Sequence, residues 1–331
     1  MTTSAPALSD NLTAPMRIGE PDTHGPLAVF PLFGPEPRLD YVSFAQGRAA
    51  GFTIKELPGG ASVNDLLVIN PTDTPVLLYE GEEVLGAQQN RTFDTSVLVG
   101  ARSELPVPVS CVEHGRWDGS RHDESFAPAP QTAYPALRAM KNRQARARLA
   151  LDNKPRAMQH EVWNEVAAKS ERLQAASPTG AMHDVYEGRR DRLDEFRRAI
   201  RLHDGQTGAL VLVGGHPVVL DHVSRPDVFA MLHAPLLQGY ALDALEAGVD
   251  APPAAAAVAE AFLRRVLRAR VSQRDGVGLG RDLRFAEHGV AGAGLLNADE
   301  LIQLTAFPDE PLTPESATRA RIPRPSRRRS V

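Results

Sequence analysis

The residues best able to do chemistry crowd into one stretch, Tyr79-Glu80-Gly81-Glu82-Glu83-Val84-Leu85-Gly86-Ala87-Gln88-Gln89-Asn90-Arg91-Thr92-Phe93. Carboxylates, side-chain amides and an arginine stand there between apolar runs. In an extended strand, alternation places Leu78, Glu80 and Glu82 on one face. If that face turns inward, the carboxylates need partners. Arg91 offers a bidentate one, and Gln89 and Asn90 offer neutral donors and acceptors. Gly81 and Gly86 permit close backbone approach or a bulge. The stretch reads as a wall for a polar ligand, with Glu80 and Glu82 as anchors or general acid–base groups. It fits equally a structural ion pair of Glu80 with Arg91 inside a sandwich.

A second cluster follows in Val107-Pro108-Val109-Ser110-Cys111-Val112-Glu113-His114-Gly115-Arg116-Trp117. Alternation groups Val109, Cys111 and Glu113, with Ser110, Val112 and His114 opposite. Glu113 joins Glu80 and Glu82 as a third candidate acid or base. Arg116 can hold a phosphate and Trp117 can stack on a base. Cys111 reads as a small buried hydrophobe, since His114 falls on the other face. A hard divalent cation is what Glu80, Glu82, Glu113 and His114 would take, but no diagnostic ligand spacing accompanies them. Gly276-Val277-Gly278-Leu279-Gly280 looks like a phosphate loop. It lacks the Gly-Lys-Ser/Thr ending and reads as a turn. His216, Asp221 and His222 are expected at the surface, and Asp243 at an exposed helix position.

These residues need elements to hold them. Residues 27–113 are mostly strand-like: 27–33, 52–57, 65–70, 76–85, 91–101 and 105–113, with a short helix over 41–50. Spacings of this kind without intervening helices indicate an antiparallel sandwich or barrel. Residues 115–135 form a polar, proline-bearing connection. Helices are expected over 156–174 and, from Ser177-Pro178, along one apolar stripe to Ile200. Gly214-Gly215 joins two strands as a hairpin. Ser224 caps a helix from Pro226 to about Leu245, and another spans about 254–270. Two or three strands close the fold. The expected organisation is a mobile arm (1–24), a β-rich part with the polar cluster (25–117), a connection with helices (118–205), a C-terminal α+β part (206–308) and a disordered Arg-rich tail (309–331). The fold class is α+β, an antiparallel β-sandwich or barrel-like part with an α+β part packed against it.

Composition excludes several classes. The 331 residues carry a net charge of −4 and one cysteine. There is no disulfide framework and no global field to attract nucleic acid or an anionic membrane. Nucleic acid is the least expected partner, since only the Arg-rich tail speaks for it. No run of about 18 apolar residues occurs, and the first 16 residues do not read as a secretory signal. The expected location is the cytoplasm. The basic residues are four lysines and 33 arginines, a bias that reflects GC-rich codons.

At these residues the chain resembles the domain family associated with ADP-ribosylglycohydrolases and rhodanese/phosphatase-superfamily proteins in prokaryotic gene clusters. The matching features are Glu80-Gly81-Glu82, Gly86-Ala87, Gln89-Asn90-Arg91, Ser96-Val97-Leu98-Val99, and Val107 to Glu113 through Gly115-Arg116-Trp117. Looser likeness continues in Leu236-Leu237, Tyr240 to Ala244 and Ile302 to Phe307, covering about residues 27–307. The resemblance implies a role around ADP-ribose or NAD-derived nucleotides. Gln89, Asn90, Arg91, Arg116 and Trp117 would bind the ligand. It equally implies a non-catalytic module that docks to an ADP-ribosylglycohydrolase or phosphatase-type partner through the tail and the helix 178–203. It carries no established catalytic residues and names no cofactor.

Overall fold

The largest sheet buries both of its faces. In the strand Leu27–Phe33, Ala28, Phe30 and Leu32 join one apolar cluster, while Leu27 and Val29 join another. The strand Gly208–Val213 divides in the same way. Period-two alternation therefore sorts residues between two cores, and the sequence shows unbroken apolar runs. A computed structural model describes residues 5–60, 62–152, 155–247 and 255–309. The Arg-rich tail lies outside the described residues from position 310.

The fold is α+β with strands in the majority. In the largest sheet the order is Arg17–Ile18, Leu27–Phe33, Gly208–Val213, His216–Val223, Glu300–Pro308, Val290–Asn297, Arg281–Glu287, Ser272–Asp275. Asp22–His24 adds to Leu27–Phe33, and every pairing is antiparallel. Helix Ala256–Arg268 shares one core with this sheet through Phe262, Leu263 and Val266. Helix Pro226–Ala244 shares the other through Phe229, Leu236 and Tyr240.

A six-stranded sheet runs Ala127–Thr132, Glu82–Leu85, Arg91–Phe93, Ser103–Cys111, Asp65–Asn70, Thr53–Lys55. A three-stranded sheet, Val97–Val99, Val76–Leu78, Val42–Ser43, has a parallel last pair. Residues of both sheets form a single core: Ile54, Val68, Val84, Phe93 and Val109 from one, Val76, Leu78, Val97 and Val99 from the other. This is the sandwich-like part.

Several local expectations are corrected. The single strand 76–85 is two strands, interrupted at Tyr79-Glu80-Gly81, where Gly81 has φ +82°. Only glycine adopts such a conformation without strain. The stripe from Met182 to Ile200 belongs to two helices, Met182–Glu187 and Arg190–Ala199. Ser177 does not start them; its hydroxyl donates to Asp184 and accepts from the Ala181 amide. Ser224 is not a cap either, because its hydroxyl meets the Tyr41 hydroxyl, and Arg225 precedes the helix without a side-chain cap. The leading segment expected as a mobile arm carries structure from residue 5. Leu8 is buried and its amide donates to the Ala269 carbonyl.

Several elements were not anticipated, and two of them bear on the interior. Ala127–Thr132 is an edge strand despite Pro128 and Pro130, which an edge tolerates. Pro135–Asp152 is an 18-residue helix that starts on a proline, suited to the first helical position. It runs between the two halves of the molecule and carries Arg138 and Lys141 into the interior. Gly276–Gly280 is a turn, as expected. The Gly276 amide donates to the Gly280 carbonyl at the end of the Ser272–Asp275/Arg281–Glu287 hairpin.

Candidate functional site

The turn at Gly81 decides which residues meet. It reverses the chain after Glu80, so Glu80 and Glu82 part company. Glu80 reaches helix Pro135–Asp152, where Arg138 Nε and Nη2 donate to Glu80 Oε1 at 2.9 and 2.6 Å. A Cβ added at Gly81 would lie 2.8 Å from Arg138 Cδ. The expected Glu80–Arg91 pair is therefore replaced by a Glu80–Arg138 pair.

On its other side Arg138 donates to both oxygens of Asp221, at 2.9 and 2.6 Å. Tyr79 and Tyr240 hydroxyls also donate to Asp221, at 2.7 and 2.6 Å. Thr305 donates to it as well. Asp221, expected at the surface, is fully buried, and so is neighbouring His222. Burial would raise the Asp221 carboxyl, but Arg138 and the hydroxyl donors hold it below its usual range. Burial would lower the Arg138 guanidinium, but Asp221 and Glu80 hold it well above its ordinary value. This network is closed and ties the two halves together.

Glu82 accepts from the Tyr79 amide at 2.7 Å. With no cation beside it, burial pushes its carboxyl up to about 8. Glu83 is pushed to about 8 by the same cause, against a 2.6 Å hydrogen bond from Gln131. Both are neutral acids near pH 7.

Six predicted residues do come together: Gln89, Asn90, Arg91, Glu113, Arg116 and Trp117. Glu113 holds the group. Its carboxylate accepts from Arg116 Nη2 at 2.7 Å, from the Asn90 amide at 3.1 Å and from Thr179 Oγ1 at 3.0 Å. Burial would raise its carboxyl, but Arg116 leads the contacts that hold it below the ordinary value. Gln89 Nε2 donates to the Glu113 carbonyl at 2.7 Å. Arg116 donates further to the Ala87 carbonyl and Asn90 Oδ1. Cys111 is buried, and burial pushes its thiol up, which leaves little thiolate to react.

Arg91 is the exception in this otherwise satisfied group. Its side chain is 0% exposed, and Nη1 donates to Gln89 Oε1 at 2.9 Å. Nε and Nη2 have no hydrogen-bond partner. Glu56, which the sequence did not single out, lies with Oε1 3.8 Å from Arg91 Nη2. Neither Glu56 oxygen has a hydrogen-bond partner, and Gln88 Oε1 is also without one. Burial raises the Glu56 carboxyl and lowers the Arg91 guanidinium. The Trp117 ring, 50% exposed, sits with its centroid 5.7 Å from the Arg91 guanidinium carbon. Unmet buried donors and acceptors cost about 1–3 kcal/mol each. Among these groups, the Arg91 guanidinium faces the half-open indole of Trp117. Glu56 carried no sequence signal of its own, because it follows a short strand and its partner is 35 positions away.

The geometry thus defines an antiparallel α+β protein with a closed ionic network between its halves and an unsatisfied polar cluster on its β-rich part. The chain belongs to the ARG and Rhodanese-Phosphatase-superfamily-associated Protein domain family, whose model matches residues 15–307. No curated protein and no solved structure matches it. No helix among the described residues is long and apolar enough to cross a membrane. No group of three or more potential metal-ligating side chains occurs among them.

Proposed function

We propose that the protein binds an ADP-ribose-like or NAD-derived nucleotide at the Arg91–Trp117 cluster. One observation carries this reading: Arg91 Nε and Nη2, both Glu56 oxygens and Gln88 Oε1 are buried without hydrogen-bond partners, Arg91 and Glu56 meeting only as a 3.8 Å ion pair, and the Arg91 guanidinium faces a half-exposed Trp117. Their chemical complement is a planar heteroaromatic group with donors and acceptors along one edge. Glu56 and Gln88 Oε1 accept from its amino or amide group, Arg91 donates to its carbonyl or ring nitrogen, and Trp117 stacks on its face. Adenine and nicotinamide carboxamide both meet this description. Glu113, Arg116, Asn90 and Gln89 hold the frame, since their polar atoms are engaged with one another. Glu80 and Glu82 belong to other parts of the interior. Binding is what this arrangement supports, and no reaction step is written through its carboxylates. The association in the family's name is consistent with a nucleotide of this class.

The test is thermal stability with ADP-ribose, NAD, AMP and divalent metal salts alone. A ligand at about 100 times its Kd adds about 2.7 kcal/mol, a shift of several degrees. ADP-ribose or NAD will raise the melting temperature of the wild-type protein. The shift will vanish in Arg91→Gln and in Trp117→Ala, the second of which alters an exposed residue. A shift that survives both variants would sink the reading. No shift with any nucleotide would favour the second reading, a non-catalytic module that docks to an ADP-ribosylglycohydrolase or phosphatase-type protein. Exposed Leu202 and Met231 are the apolar residues that such a partner would cover.

A further inference from the structure

Asp221 and His222 are neighbours on one strand, and alternation sends them to opposite faces of the largest sheet. On the His222 face, a small pocket lies between the sheet and the leading segment. His222, Glu300 and Leu301 line it from the sheet side. Asn11 and Leu12 close it from the leading segment, and Pro35 and Glu36 from the chain after strand Leu27–Phe33. Its volume is about 10 Å³, room for one centre the size of a water or an ammonium group. Glu36 stands exposed at the rim. None of these residues belongs to the Arg91–Trp117 cluster.

Two buried acceptors of this pocket lack a donor. Glu300 is 6% exposed, and its Oε1 has no hydrogen-bond partner. The other oxygen, Oε2, accepts from the Arg38 and Leu39 amides at 2.8 and 3.0 Å, with Arg38 Nε 3.9 Å away. His222 is 1% exposed, and its Nδ1 has no partner. Burial lowers the imidazole to about 4, against a hydrogen bond to the Thr207 backbone. The ring is therefore neutral near pH 7. With the proton on Nε2, Nδ1 is a bare acceptor. Asn11 commits Nδ2 to the Ala7 carbonyl at 3.3 Å and keeps Oδ1 as a third acceptor. The complement of such a set is a group made only of donors. A primary ammonium is that group, whereas water brings as many lone pairs as hydrogens.

From this placement we infer that the pocket takes one end of an aliphatic diamine. The inner ammonium donates to Glu300 Oε1, His222 Nδ1 and Asn11 Oδ1. The methylene chain leaves over Leu12, Pro35 and Leu301. The outer ammonium meets the Glu36 carboxylate at the rim. Arg38 keeps to the far oxygen of Glu300.

Calorimetric titration with putrescine tests this, with butylamine and 1,4-butanediol as separate arms. Wild-type protein will bind both amines and not the diol. Putrescine will bind about two- to fivefold more tightly than butylamine, the worth of an exposed ion pair at Glu36. Glu36→Gln, at an exposed position, will abolish that difference. Glu300→Gln, which keeps an acceptor for the two backbone amides, will weaken both amines at least tenfold. Arg91→Gln will leave all of this unchanged, so failure here is distinguishable from failure of the nucleotide site. No binding of either amine by wild-type protein with a normal melting transition would mean that the pocket holds water only, and would overturn the inference. So would equal affinity for the diol, or full amine affinity in Glu300→Gln. A putrescine preference that survives Glu36→Gln would contradict the diamine assignment even if Glu300→Gln failed to fold.

Discussion

Replacing Arg138 by alanine will destabilise the protein by about 3–5 kcal/mol or more, the cost of leaving a buried charge without its partner. Two carboxylates lose their cation at once. Glu80 and Asp221 both depend on Arg138, and both are buried. Asp221 keeps the Tyr79, Tyr240 and Thr305 hydroxyls. These solvate a carboxylate without neutralising it. The effect also spans the molecule, because Glu80 belongs to the turn entering the six-stranded sheet and Asp221 to a strand of the nine-stranded one. Lysine will not rescue it, since one ammonium cannot reproduce the planar donors that reach both carboxylates. Urea unfolding of wild type, Arg138→Ala and Arg138→Lys measures this. A loss under about 1 kcal/mol in Arg138→Ala would mean that the network does not hold the two halves together.

The second large effect concerns pH. Glu82 and Glu83 are each raised from an ordinary 4.5 to about 8, by burial. The folded state therefore holds protons that the unfolded state releases. A raised folded value contributes stability that is complete below about 4.5 and is lost as pH climbs through 8. Within that window each group makes stability fall by roughly 1 kcal/mol per pH unit. Glutamine mimics the neutral acid and can still accept from the Tyr79 amide. Glu82→Gln will thus remain nearly as stable as wild type near pH 5. It will become progressively more stable than wild type toward pH 8. Glu83→Gln will do the same, keeping an acceptor for Gln131. Melting temperatures across pH 5–9 decide the matter. Curves that run parallel to wild type would show that these carboxyls titrate normally.

Much of the scaffold was legible because its signals are local. The hairpin at Gly214-Gly215, the strand Asp65–Asn70 and the helix from Pro226 follow from turn residues, β-branched runs and a proline start. The misses share a different physical origin. Gly81 looked permissive, and its positive φ turned an apparent ten-residue strand into two strands in different sheets. The stripe from Met182 to Ile200 kept helical spacing across a break at Gly188-Arg189, since two short helices can bury one continuous surface. Pro128 and Pro130 disguised an edge strand. Helix Pro135–Asp152 received no assignment from the sequence; its Arg138 and Lys141 take interior positions against carboxylates.

The candidate site was legible in the same measure. Gln89, Asn90, Arg91, Glu113, Arg116 and Trp117 were picked out by their crowding at the ends of two strands that the sheet pairs directly, Arg91 on one and the others flanking them. Glu56 was not, because a single glutamate after a short strand is ordinary until its partner is known. The partner of Glu80 lay 58 positions away, beyond the reach of any periodicity. Asp221 and His222 looked like a polar strand end, and only the packing of Tyr79 and Tyr240 around Asp221 reveals an interior position.

The most direct test of the nucleotide site uses the chain's own fluorophores. The sequence holds two tryptophans, Trp117 and Trp163, so Trp163→Phe leaves the indole at the site as the only one. Titrating this variant with ADP-ribose will quench its emission along a saturable curve, and the same titration of Arg91→Gln/Trp163→Phe will give a flat line. Emission unchanged up to millimolar ADP-ribose and NAD, in protein that melts normally, would contradict the assignment of this cluster to nucleotide binding.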